Sequence, residues 1–149
     1  MNRQELQTLL VRRCGNLLTA AHMKTTTEGD NPDMADPILW AMRMLGYSPA
    51  SVIVVSDFEL AAVADAHISA LLDLAELQLL ANIQGNYARV SSSTGSSVGP
   101  TVSESWGQLL SQISDMVKQK RMYVDAMHSG LLVMPLTGTG KRMATAENI

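Results

Sequence analysis

Apolar residues recur at spacings of three and four from Arg3 to about Met23, at Leu6, Leu9, Leu10, Cys14, Leu17, Leu18 and Ala21. That period predicts an amphipathic helix. Asn2 stands as its N-cap, and Glu5, three residues on, completes the spacing of a capping box. Gly15 interrupts the stripe at about 1 kcal/mol of helix propensity, which makes it a candidate close-packing position or bend. Residues 24–36 hold Gly, Pro and a run of Thr, a loop composition. Asp36-Pro37 predicts the next start, with Asp as the cap and Pro in the first helical position. The helix Pro37–Leu45 then ends on Gly46, with Pro49 beyond it. Val52-Ile53-Val54-Val55 is β-branched but has no second strand pattern to pair with, so it is expected as an extended segment packed against helices.

A second capping box, Ser56-Asp57-Phe58-Glu59, opens a long apolar-rich stretch that runs to about Asn86. A break near 64–67 is expected, with Asp65 capping a second helix. Beyond it Leu71, Leu72, Leu74, Leu77, Leu79, Leu80 and Ile83 cover much of the helix circumference. Such a helix is central, contacting other helices or a neighbouring subunit on more than one side. Residues 85–102 are rich in Ser and Gly and predict a long loop, within which Tyr87, Arg89 and Val90 are the residues a partner would order. Ser103 or Ser105 is expected to cap the last helix, whose stripe is Trp106, Leu109, Leu110, Ile113, Met116, Val117, Val124 and Met127. Ser129-Gly130 ends it. The fold class is therefore all-α: a bundle of about four to five helices over residues 1–130, followed by an extended C-terminal tail, 131–149.

That tail begins with Leu131, Leu132, Val133, Met134, Pro135 and Leu136. Its apolar side chains either pack back on their own helices or add to a neighbouring chain. With Met122 and Met127 they form the candidate subunit or partner interface, because methionine packs adaptably.

Composition narrows the class further. Of 149 residues, 46% are hydrophobic and only 17% charged, with ten Met and six aromatics. The core is thus aliphatic, and wholesale disorder and a disulfide scaffold are excluded. The net charge of −3 lacks the basic excess that phosphate neutralisation demands of a nucleic-acid binder. Cys14 is the single cysteine, which favours a reducing compartment. Neither a signal-peptide stretch nor a membrane-length apolar run is present in the sequence.

The search for chemistry is mostly negative. His22, His67 and His128 stand in no metal-ligand spacing. Cys14 occupies a stripe position and reads as a core thiol. Asp73 and Glu76 lie one turn apart, as solvated or salt-bridged charge. Gly138-Thr139-Gly140-Lys141 fails as a phosphate loop, because Pro135 and Arg142 occupy the positions of its first Gly and its Ser/Thr. Lys118, Lys120 and Arg121, with Arg12 and Arg13, are expected on solvated helix faces. No catalytic residue, cofactor or metal is expected.

The order of elements over residues 37–128 carries a resemblance. A Pro-started helix, Leu45-Gly46, the extended Val-Ile-Val-Val, the Ser56 box and the stretch Leu71-Leu72-Asp73-Leu74-Ala75-Glu76-Leu77 precede a Ser/Gly-rich segment and a last helix with Lys118-Gln119-Lys120-Arg121. This resembles the small helical head–tail connector (adaptor) proteins of tailed bacteriophages. The resemblance implies a structural virion protein, assembled in the host cytoplasm and located in the neck. It implies a homo-oligomeric ring, often of twelve copies, that joins portal protein to tail or stopper proteins. Double-stranded DNA would pass through the ring without being read. The rival classes are a helical partner-binding or regulatory protein and a small enzyme. The sequence supplies neither a basic recognition helix nor a constellation of polar groups for them.

Overall fold

A computed structural model describes residues 1–94 and 100–136, with side chains for 1–90 and 106–136. The described residues form five α-helices: α1 (Arg3–Ala20), α2 (Pro32–Met44), α3 (Asp57–Ala61), α4 (Asp65–Thr94) and α5 (Pro100–His128). A 3-10 turn, Ser129–Leu131, follows α5. No strand occurs among the described residues. The all-α expectation holds.

α4 is the axis. Its apolar residues face several directions, and α1, α2 and α5 all pack against it. Ala70, Leu71, Leu74, Ala75, Leu79 and Ile83 have no exposed surface. Arg13 meets Asp73 and Glu76, while Met23 lies beside Ala81 and Gly85, so α1 runs parallel to α4. α2 runs antiparallel: Pro32 sits near Asn82 and Asn86, and Tyr47, just past its other end, reaches the start of α4. There Tyr47 Oη accepts from the Ala64 N–H (3.0 Å), which leaves its own proton for His67 Nδ1 (2.8 Å). α5 returns antiparallel along α4. The base of the bundle thus gathers the start of α4 and the ends of α2 and α5.

Both capping boxes form. Asn2 Oδ1 accepts from Glu5 N–H and Glu5 accepts from Asn2 N–H; Ser56 and Glu59 do the same for α3. A break between the two helices is present but lies at 62–64: α3 ends at Ala61 and α4 begins at Asp65, which is its first residue rather than its cap. α1 is continuous through Gly15, where an added Cβ would meet nothing, so Gly15 is neither a bend nor a close-packing position.

The start of α2 differs from expectation. Asn31-Pro32, not Asp36-Pro37, opens it: Asn31 Oδ1 accepts from Asp33 N–H, and Pro37 lies buried inside the helix. Two polar–Pro pairs sit five residues apart, and the first wins because tertiary contacts hold it. Asn31 is buried, its Nδ2 donates to the Lys24 and Thr26 carbonyls, and its N–H donates to Gln7 Oε1. Gln7 in turn donates to Gly29 O. The loop is therefore latched by two buried amides.

α2 ends in a Schellman motif. Tyr47 N–H donates to Met42 O and Gly46 N–H to Arg43 O, with Gly46 at φ 91°. α1 closes in the same way, through Met23 N–H to Leu18 O and His22 N–H to Thr19 O, but its left-handed residue is His22, at φ 56°. A non-glycine there is strained. His22→Gly is expected to raise stability by about 0.5–1 kcal/mol, seen as a higher urea midpoint at unchanged slope.

Two further expectations are corrected. Val52 and Ile53 do not pack against helices; both are about three-quarters exposed, and only Val55 of that run is buried. The loop 85–102 is largely helix: α4 continues through Thr94 and α5 begins at Pro100, ahead of Ser103 and Ser105. Residues 95–99 lie outside the described residues. Ile83 and Tyr87 continue the α4 stripe at a spacing of four, and α5 packs alongside, which outweighs the weak helix propensity of the Ser-rich stretch.

Candidate functional site

Two features stand out: a charge cluster between helices and a set of exposed apolar side chains. The cluster centres on Asp73, buried in the first half of α4. Its Oδ1 is 3.2 Å from Arg13 Nη1 of α1 and 3.1 Å from Lys120 Nζ of α5. Its Oδ2 lies 2.8 Å from His128 Nε2, at the end of α5. A carboxylate only accepts, so Nε2 carries the proton and donates. Glu76, one turn on, pairs with the same Arg13 and with Lys120, at 2.9 Å for the latter. Lys120 Nζ also sits 5.1 Å over the Tyr123 ring, which meets the His128 ring edge-on. Burial alone would raise the Asp73 pKa, but the bonds from His128, Lys120 and Arg13 outweigh it and hold the carboxyl below its ordinary range.

The cluster ties three helices together. Asp73 and Glu76 are salt-bridged, as the sequence allowed, but Arg13 and Lys120 are engaged rather than solvated, and a histidine does join from α5. Sequence spacing could not pair residues so far apart in the chain. Among the described residues no group of three or more His, Cys, Asp or Glu could hold a metal ion. Cys14 is buried; burial, and after it the charge of Glu76, push its thiol up to about 12. A thiol so rarely ionised is a core residue and a poor nucleophile.

The expected interface residues divide. Met122 and Met127 project from α5 and are 72% and 62% exposed. Leu131, Val133 and Met134 are exposed to lesser degrees, whereas Leu132 is half-buried and Leu136 fully buried. The start of the tail is seated on its own chain: Val133 N–H donates to Met44 O at 2.9 Å. Val133 Cγ1 would stand 2.9 Å from a Cβ placed on Gly46, so only glycine leaves room for it. Residues 137–149 of the tail lie outside the described residues. Tyr87, Arg89 and Val90 are on α4 rather than in a loop. Arg89 is exposed and Val90 half-buried; Tyr87 is buried, with no partner for its hydroxyl among the described residues.

Sequence patterning missed one exposed group. Val52, Ile53 and Phe58 lie in the connection and short helix at the base, and Phe58 is 85% exposed. Phe58 falls inside the capping box that opens α3, a five-residue helix in which Leu60 is the buried residue.

No protein-family model matches the chain, and comparison with curated proteins and with solved structures finds no match. No helix of the described residues is long and apolar enough to cross a membrane.

Proposed function

We propose that the chain is a non-catalytic helical protomer of a larger protein assembly, and that this assembly is the head–tail connector of a tailed bacteriophage. One observation carries the reading. The core is closed around α4, yet Val52, Ile53, Phe58, Met122, Met127 and Val133 each remain more than half exposed. Large apolar side chains outside a closed core mark contact surfaces where they are grouped, and Val52, Ile53 and Phe58 stand within one short stretch of chain. In the connector, copies would form a ring in the virion neck between portal and tail proteins. The acidic balance of the chain, −3, suits a ring through which DNA moves without being gripped.

The test is the mass of the purified chain, alone and mixed with a portal protein, by sedimentation or native mass spectrometry. A ring, or a chain that joins the portal, is the expected result. A chain that stays monomeric in both settings overturns the reading.

A further inference from the structure

α5 hands the chain to a short surface segment. The 3-10 turn Ser129–Leu131 follows the helix directly and packs on it. The chain then reaches the last turn of α2, where Val133 N–H donates to Met44 O at 2.9 Å. Leu132 and Leu136 turn in toward the core, while Leu131, Val133 and Met134 remain exposed. A piece of chain with few buried side chains and an exposed backbone is the kind that opens without unfolding the rest.

His128, the last residue of α5, stands immediately before this segment. Its ring is nearly buried, and Nε2 donates to Asp73 Oδ2 at 2.8 Å. The acceptor is fixed from other sides. Arg13 of α1 and Lys120 of α5 hold its second oxygen, and Glu76 pairs with both of them. At the far end Gly46 shapes the seat: a Cβ there would stand 2.9 Å from Val133 Cγ1. Between the two anchors, an added Cβ on Gly130 would meet nothing, so the chain can swing there.

We infer that residues 128–136 form a strap that opens and closes on the finished bundle as one unit, with the His128–Asp73 bond as its catch. The turn rides on the end of α5, so lifting the strap draws His128 off Asp73. Opening turns Leu132 and Leu136 outward and bares the seat beside Gly46. Apolar surface is thereby withheld while the catch holds and presented when it is released. The use of such a device rests on the assembly reading, in which contact surfaces stay covered until they are needed. The strap itself is tested on the isolated chain, so it and the assembly reading can fail separately.

Hydrogen exchange of the Val133 amide tests it, with the Leu74 amide of α4 as the reference for global unfolding. In the wild type Val133 is expected to exchange faster than Leu74 and with little dependence on urea, because a local opening exposes little surface. His128→Ala should lower the protection of Val133 by about tenfold, the worth of one hydrogen bond to a charged group. His128→Gln, whose amide can donate in the same place, should keep it near the wild-type value. Wild-type exchange of Val133 that matches Leu74 in rate and urea dependence overturns the proposal, since the segment then opens only with the whole fold. A His128 that merely stabilises the bundle would lower the protection of Leu74 in His128→Ala and leave Val133 unchanged, which also overturns it. So does a glutamine variant in which Val133 is as loose as in the alanine variant.

Discussion

Asp73→Ala is expected to cost the fold about 3 kcal/mol, near the lower end of what removing one partner from a buried ion pair costs. The side chain is 9% exposed, and its loss leaves His128 without its acceptor and Lys120 with Glu76 alone. Arg13 also keeps Glu76 and lies nearer solvent, so it adds little. Urea unfolding of the variant measures the loss. The effect depends on pH in a definite direction. The folded carboxyl lies below its ordinary range, so its contribution is fully present above the unfolded value of about 3.9. It fades as the pH falls through the lower folded value. The wild type should therefore lose stability below about pH 4 more steeply than the variant. An equally steep acid limb in both would show that Asp73 is not the group responsible.

Leu74→Ala is expected to cost about 3–4 kcal/mol, in the range for a buried leucine cut to alanine. Leu74 has no exposed surface and sits in the first half of α4, the helix against which α1, α2 and α5 pack. Helices on several sides cannot all move inward to fill one void, so most of the cavity persists. For a chain of this size the melting temperature should fall by about 10 °C. Phe58→Ala, on an 85% exposed residue, serves as the control and should leave the melting temperature of the monomer within a degree or two.

Local chemistry was well marked in the sequence. Both capping boxes and the Gly46 terminator depend on residues within a few positions of one another, and each forms as expected, while the break between α3 and α4 lies at 62–64, ahead of the position expected. The central place of α4 was legible because its leucines exceed one stripe. What failed depended on distant partners. Asn31-Pro32 displaces Asp36-Pro37 because Gln7, on another helix, reaches Asn31. The Ser-rich end of α4 stays helical through Thr94 despite its weak helix propensity. The charge cluster joins residues from Arg13 to His128, which no spacing rule connects. Val52 and Ile53 show the opposite error: β-branched residues predict burial in a strand or core, and here they lie on the outside.

The hydrogen bond from Val133 to Met44 O also orders events during synthesis. α2 is made early, yet the bond at its last turn comes from a residue that leaves the ribosome after α5. Before α5 is made, α4 has no α5 beside it, and Asp73 lacks both Lys120 and His128. A nascent chain cut before α5 would be incompletely packed, in the condition that favours aggregation. With α5 and Val133 in place the bundle is sealed around α4, so the bond to Met44 O is among the last of these contacts a growing chain can make.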